Sequence, residues 1–265
     1  MPVSKSDMKI TVLTSNALRH RYFANVIAAH FPLAGIVTEP KHDYFDKQRE
    51  ESELVRGHFV SLAEYEKKYF SRYPDFPQGD ILEIEKRKIN DPQTVSWVKA
   101  RQPQFILLFG TGILGEGWLQ TFPDKIINLH LGLSPYYRGA ATLFWPFVND
   151  DLSGVGVTYH LATSRVDAGD ILARFRPELK IGDNYYDVTN KAIRNAIDRV
   201  AEVITGYAEG RLVPVEQKAS ADCKLYKKKD FNEDVLRKVM AKYKQGLTQE
   251  RIDFARRHDR CPINT

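Results

Sequence analysis

Cysteine is scarce in this sequence. Only Cys223 and Cys261 occur, both near the C-terminal end and far apart in the chain, so neither a disulfide framework nor a structural zinc site is expected as an organising device. Long apolar runs are missing too. No stretch approaches the roughly 18 residues that a membrane-spanning helix needs. The first residues carry Lys5, Asp7 and Lys9 without an apolar segment, so neither a signal peptide nor a membrane anchor is expected, and the expected location is cytoplasmic. A large excess of one charge is also lacking: 39 Lys and Arg stand against 34 Asp and Glu. That balance suits an acidic small molecule as well as nucleic acid and does not choose between them. Internal repeats and low-complexity linkers are absent. What is present is the composition of an ordinary soluble globular protein, 43% hydrophobic over 265 residues, enough for one large domain, or one domain with a small appendage, around a sizeable core.

Taken along the chain, residues 9–14 (KITVLT) predict a first strand, and Leu18, Tyr22, Phe23, Val26 and Ile27 recur at helical spacing after it, with Ser15 and Asn16 offering capping chemistry. Residues 33–37 (LAGIV) close a β-α-β unit, whose right-handed crossover implies a parallel sheet. Arg19, His20 and Arg21 fall in the strand-to-helix loop. Near a helix N-terminus, where unpaired N–H groups already favour anions, they are candidates for holding a substrate phosphate; a solvated first turn is the alternative.

Residues 40–79 combine charge with aromatics: Tyr44, Phe45, Tyr65, Tyr69, Phe70, Tyr73 and Phe76 are interleaved among Lys, Arg, Glu and Asp. Because acids balance bases there, helix surface and packing account for them better than stacking on nucleic acid. Residues 61–70 predict a helix capped by Ser61, and Pro74 and Pro77 make the following segment irregular. Asp91-Pro92 marks another helix entry. Residues 104–109 (QFILLF) read as a strand buried on both faces, central in the sheet. Residues 155–161 and 172–179 predict further strands. Residues 185–206 predict one long amphipathic helix, ended by Gly206 or Gly210.

The glycines of Gly110-Thr111-Gly112-Ile113-Leu114-Gly115 spell the dinucleotide fingerprint G-x-G-x-x-G between a strand and a helix. That fingerprint expects an acidic residue at the end of the next strand, about 20 residues on. Here that strand ends in Asn128 and His130, so the glycines are better read as letting a ligand or another backbone approach a strand end.

Residues 126–146 (IINLHLGLSPYYRGAATLFWP) carry the chemistry. Asn128 and His130 are two positions apart at a strand's carboxyl end and point the same way into the crevice where open parallel sheets bind ligands. Asp167 sits on a later loop. An amide donates to an oxyanion, an imidazole shuttles a proton near neutrality, and a carboxylate fixes the imidazole or orders a water, so the three can run acyl transfer. No Ser or Cys nucleophile lies in an elbow beside the His, which favours direct attack by an amine over a covalent acyl-enzyme. For His130 alone, a hydrogen-bonded structural His is the alternative.

Asn128-Leu129-His130, Ser134-Pro135-Tyr136-Tyr137-Arg138-Gly139 and Asp167-Ala168-Gly169-Asp170-Ile171-Leu172 together resemble the folate-dependent formyltransferase family, which includes glycinamide ribonucleotide transformylase, methionyl-tRNA formyltransferase and the N-formyltransferases of nucleotide-linked amino sugars. The resemblance extends more loosely from Lys9 to about Phe231. It implies a Rossmann-like α/β fold, an open, mostly parallel sheet with helices on both faces, and a small C-terminal extension. It further implies Asn128, His130 and Asp167 as catalytic residues, N10-formyltetrahydrofolate as co-substrate, and no metal. The co-substrate is then expected against Phe109, Gly110, Thr111, Gly112, Ile113 and Leu114, and against Ala162, Thr163 and Asp167. On the acceptor side Asn16, Arg19, His20, Arg21, Tyr137, Arg138 and Gly139 are expected.

The expected layout is a catalytic domain over 1–210 and a small C-terminal subdomain or tail over 211–265, shorter than the roughly 100 residues of a full second domain. That length favours a nucleotide-linked amino sugar as the acceptor, with methionyl-tRNA, glycinamide ribonucleotide or simple hydrolysis of the formyl donor as alternatives. A small-molecule partner is expected rather than nucleic acid or membrane, and a homodimer is compatible with it. A non-catalytic nucleic-acid-binding protein built on the basic tail ranks last, since it leaves Asn128 and Asp167 unexplained.

Overall fold

The computed structural model describes residues 7–40, 50, 52–218 and 222–258. Its centre is a seven-stranded sheet made by β1 (Ile10–Ser15), β2 (Leu33–Glu39), β3 (Ile81–Glu83), β4 (Phe105–Phe109), β5 (Ile126–His130), β7 (Val157–Leu161) and β8 (Ile171–Phe175), in the order β3-β2-β1-β4-β5-β7-β8. The first five strands run parallel; β7 is antiparallel to β5, and β8 to β7. A two-stranded parallel sheet joins β6 (Tyr137–Gly139) to β9 (Lys224–Tyr226).

The expected doubly covered sheet is found. Alternation along β4 sends Phe105, Leu107 and Phe109 into one apolar cluster and Ile106 and Leu108 into the other, and β1 divides Val12 from Leu13 in the same way. On the first face α1 (Leu18–Ala28) buries Phe23 and Ile27, joined in the same cluster by the short α5 (Trp145–Val148), α6 (Tyr185–Asp198) and α7 (Val200–Ala208). The second face is covered by α3 (Pro92–Ala100) through Val98 and α4 (Glu116–Thr121) through Trp118.

Several local expectations are corrected. Neither Ser15 nor Asn16 caps α1: Ser15 is still in β1, Ala17 takes the N-cap place without a side-chain bond, and the N–H of Arg19 donates instead to Glu66 Oε1 at 3.0 Å. Ser61 is not a cap, because the charged aromatic segment is already helical as α2 (Glu53–Phe70), started by Ser52, whose Oγ accepts the Val55 N–H at 3.2 Å. Tyr44 and Phe45 lie outside the described residues. The strand expected over 172–179 stops at Phe175, two residues before Pro177, which has no N–H for a ladder. The long helix over 185–206 is two helices, broken at Arg199 (φ −101°, ψ 10°), whose guanidinium turns to Glu202. Gly206 is inside α7, and of the two glycines expected to end the helix it is Gly210 that does so, just past the C-cap Glu209 at φ +71°.

After Arg211 the chain continues to pack on the same core. Leu236 and Val239 of α8 (Glu233–Lys242), then Tyr243, Leu247 and Ile252 of α9 (Gln249–Arg257) and its approach, join the cluster that holds Phe144, Phe147 and Tyr185. Lys242 and Arg251 converge on Asp150 at 2.7 and 3.1 Å, so part of the tail's positive charge is spent within the molecule. No helix among the described residues is long and apolar enough to cross a membrane.

Candidate active site

Asn128 and His130 end β5 at the carboxyl edge of the sheet. The antiparallel register with β7 sets Asn128 opposite His160 and His130 opposite Thr158. Asp167 reaches them from the loop between β7 and β8, in the left-handed backbone region (φ +48°). Its Oδ1 lies 3.3 Å from His130 Nδ1 and 3.8 Å from His160 Nε2, while its Oδ2 accepts the Gly139 N–H at 3.0 Å. The three residues singled out from the sequence are therefore brought together.

Protonation follows from the partners. His130 Nε2 is 2.8 Å from the carbonyl of Tyr137, which can only accept, and Nδ1 faces a carboxylate, so the imidazolium satisfies both sides. Burial alone lowers the pKa of His130, but the charge and hydrogen bond of Asp167, with the Tyr137 carbonyl, outweigh it and raise the pKa above the ordinary histidine value. Burial likewise pushes Asp167 up, and the His130 charge, with hydrogen bonds from His130 and the Gly139 N–H, overcomes this and holds the carboxyl well below its usual range. Gly132 makes the arrangement sterically feasible, because a Cβ there would overlap both His130 Nε2 and the Tyr137 carbonyl.

His160 was not singled out from the sequence. Its Nδ1 donates to the Leu161 carbonyl at 2.8 Å, which leaves Nε2 as the acceptor for the Asn128 amide at 3.0 Å. The only sequence signal is a His on the same strand face as Thr158 in an otherwise apolar strand, and it is weak.

The glycine-rich loop after β4 is held from beneath. Gly110 takes φ +75° and packs directly on His20. The Gly112 N–H donates to Glu39 Oε1 at 2.7 Å, the Gly115 N–H to Asn90 Oδ1 at 2.7 Å, and Asn90 Nδ2 to the Ile113 carbonyl at 2.9 Å. Glu39, the acidic residue at the end of β2, is buried and also accepts the Arg87 N–H at 3.2 Å. The strand that follows the loop, β5, ends in Asn128 and His130 rather than in an acidic residue, which speaks against the dinucleotide reading. Ile113 is left 69% exposed, an apolar surface at a strand end. Leu114 is buried, and Thr111 Oγ1 turns to the Gly112 carbonyl. Across from it, Ala162 donates its N–H to the Ile126 carbonyl and Thr163 is exposed.

The acceptor-side expectations need correction. Arg19, His20 and Arg21 lie in the first turns of α1 rather than on a loop. His20 is 2% exposed, stacked on Phe109 with ring centroids 4.3 Å apart, its Nδ1 between Thr14 Oγ1 at 2.9 Å and the Phe109 carbonyl at 3.1 Å, so it supports the glycine loop instead of facing a ligand. The anion expected at this helix terminus is already supplied by the protein: Glu66 of α2 takes the Arg19 N–H and stands 3.8 Å from its guanidinium. Arg21 donates to the Pro74 carbonyl, and Asn16 is exposed in the bend that precedes α1. Tyr137 is buried with its hydroxyl on Asp151 at 2.9 Å, so its carbonyl, not its phenol, belongs to the site. Arg138 and Gly139 are half-buried in β6; the Gly139 N–H meets Asp167, and the Arg138 charge acts on His130. Among the described residues no group of three or more His, Cys, Asp or Glu is arranged to hold a metal ion.

Residues 32–204 match the family model described as formyl transferase. The methionyl-tRNA formyltransferase of Trichlorobacter lovleyi is 29% identical over 137 residues, covering 51% of this chain and 43% of the relative. The chain spans about half the length of the curated relatives it matches. Glycinamide ribonucleotide transformylase 1 from Symbiobacterium toebii superposes with a TM-score of 0.54 at 17% identity, over 80% of this chain and 94% of that one. A sugar N-formyltransferase from a Shewanella species gives 0.55 at 14% identity, over 84% and 78%. At these identities the likeness is one of fold.

Proposed function

The chain belongs to the formyl transferase family, and from that premise we propose that it transfers a formyl group from N10-formyltetrahydrofolate to a primary amine. The observation that carries this is the buried His130–Asp167 pair with Asn128 beside it at the sheet's carboxyl edge. The donor, when bound, supplies an electrophilic carbonyl on a nitrogen leaving group. Its flat ring suits the exposed Ile113 and the backbone edge of the loop held by Glu39 and Asn90.

In the transfer the acceptor nitrogen forms a bond to the formyl carbon as the bond to N10 breaks; the acceptor loses one proton and N10 gains one. Asn128 has an amide N–H beyond the one donated to His160, and the His130 imidazolium carries positive charge, so both stabilise the oxygen on which negative charge develops. The His130–Asp167 separation of 3.3 Å is long for a charge-assisted hydrogen bond. His130 Nδ1 can therefore be shared between Asp167 and that oxygen. Asp167 stays ionised and keeps His130 charged, and a water ordered by Asp167, or His130 itself, carries the proton to N10.

For the acceptor we infer a nucleotide-linked amino sugar. The fold likeness to a sugar N-formyltransferase supports this reading. Residues 1–210 would then form the catalytic unit, with 211–265 as a small extension.

The test is loss of the formyl-folate spectrum with a panel of nucleotide-linked amino sugars, glycinamide ribonucleotide, methionyl-tRNA and no acceptor. Turnover dependent on an amino sugar supports the whole reading. Dependence on tRNA or on the ribonucleotide keeps formyl transfer and replaces the acceptor. Equal turnover without acceptor makes the protein a hydrolase, and absence of donor binding withdraws the activity.

A further inference from the structure

Gln217 lies beyond residue 204, where the family match ends, and its side chain returns to the loop that carries Asp167. Its Nε2 donates to the Asp167 carbonyl at 3.1 Å and to the Gly169 carbonyl at 2.6 Å. The backbone that presents it is anchored two residues earlier, where Val215 and Ile171 exchange N–H···O bonds of 2.8 and 2.9 Å along the free edge of β8. Gln217 thus ties a segment outside the matched span to the one loop on which a carboxylate position matters most.

Two features argue that this clamp acts on the carboxylate and does more than fill surface. Asp167 is held at φ +48°, a left-handed conformation that most side-chain-bearing residues avoid and that Asp enters at a smaller cost. The loop beyond it is packed so tightly that a Cβ on Gly169 would overlap the Leu161 carbonyl. In addition, Gln217 Oε1 is buried without a hydrogen-bond partner among the described residues. A glutamine serving only the surface would turn that oxygen to water. Here the amide is oriented by the two carbonyls, which need its N–H groups.

We propose that Gln217 is a positioning residue for Asp167, setting the distance from its carboxylate to His130. The proposal rests on the reading of Asp167 and His130 as the working pair. The groups that face this pair are His160 from β7, Arg138 and the Gly139 N–H from β6, and the Tyr137 carbonyl. None of these is altered by a change at Gln217, so a shift in His130 reports on Asp167.

The experiment is a histidine titration by NMR on the full chain, comparing wild type with Gln217→Met and Gln217→Leu. Both variants remove the Nε2 donor without adding a charge, and Met also keeps the length of the side chain. The His130 signal is assigned from its loss in His130→Gln, and thermal unfolding verifies the fold. The expected result is a fall of His130's titration midpoint by about one pH unit in each folded variant, because the carboxylate is no longer held against the ring. The kcat for formyl transfer is expected to fall at least about tenfold, with the KM for the formyl donor changed less than about threefold. An unchanged His130 midpoint in either folded variant overturns the proposal, and if only one variant folds it is read alone. The titration needs no substrate, so failure of the transfer reaction in wild type would remove the proposed function without touching this readout.

Discussion

Asn128 and His160 face each other across the antiparallel β5–β7 pair, with the amide nitrogen 3.0 Å from the His160 Nε2. Because His160 Nδ1 is committed to the Leu161 carbonyl, Nε2 accepts, and this fixes which end of the Asn128 amide points inward. His160→Leu should leave the fold intact and free that amide to rotate. We expect kcat to fall by about tenfold, less than outright loss of an oxyanion donor, which costs ~10²–10³. A kcat equal to wild type would show that Asn128 is oriented by something else.

Asp167→Asn is close to isosteric, and Asn tolerates the left-handed backbone that Asp167 occupies. The substitution therefore removes the charge with little strain. Turnover should drop by about 10³-fold, and His130→Ala should drop it by a similar factor, since the two act as a unit. Steady-state rates with unchanged circular dichroism check this; a variant within threefold of wild type would remove the pair from the chemistry.

The pH dependence has a defined sign. His130 has its folded pKa raised, so its imidazolium is complete at low pH and is lost as pH rises through a value above the ordinary ~6.5. Asp167 has its folded pKa depressed, so it remains ionised throughout the working range. The alkaline limb of kcat should accordingly lie above ~6.5, and the acid limb should follow protonation of the acceptor amine. An alkaline limb at or below that value, or an acid limb independent of the acceptor, would contradict this assignment.

Gly110 supports the loop by conformation and by size. Its φ of +75° strains any residue with a Cβ, and a Cβ there would overlap His20. Gly110→Ala should cost about 3 kcal/mol, combining the left-handed penalty with the overpacking of a buried ring. Urea unfolding measures it, and a cost below about 1 kcal/mol would mean that His20 moves aside freely.

His58, buried in α2 beside Tyr186, has its pKa lowered to about 4 by burial. A depressed histidine contributes stability that is complete above its unfolded pKa of ~6.5 and is lost as pH falls toward the folded value. Between pH 7 and 5 the protein should lose about 2 kcal/mol through this group. His58→Phe should reduce that acid sensitivity by a similar amount in urea titrations at the two pH values. An equal pH dependence in variant and wild type would place the acid sensitivity elsewhere.

How far the fold was legible depends on how local the signal is. The unbroken apolar run of β4 announced a strand covered on both faces, and Phe109 and Leu108 do enter opposite clusters. The spacing of Asn128 and His130 put both on one strand face. Helix ends were read less well. The start of α1 depends on Glu66, which is 47 residues from Arg19 along the chain, and no local cap signal reports such a partner. The same holds for His20, whose cationic setting suggested a surface but whose ring is claimed by Phe109, 89 residues away.

By itself the sequence determined the longer strands and helices of the main sheet, its two-sided cover and the residue types at its carboxyl edge, because periodicity and turn chemistry act between near neighbours. Only the tertiary structure decided which groups those residues meet. It made His160 the acceptor for Asn128, gave the N-terminus of α1 to Glu66, turned Glu39 to the glycine loop and brought Gln217 to Asp167. Each of these pairings is set by strand register and by crossover connections between distant segments, and a hydrogen bond across such a distance leaves no periodic trace in the chain.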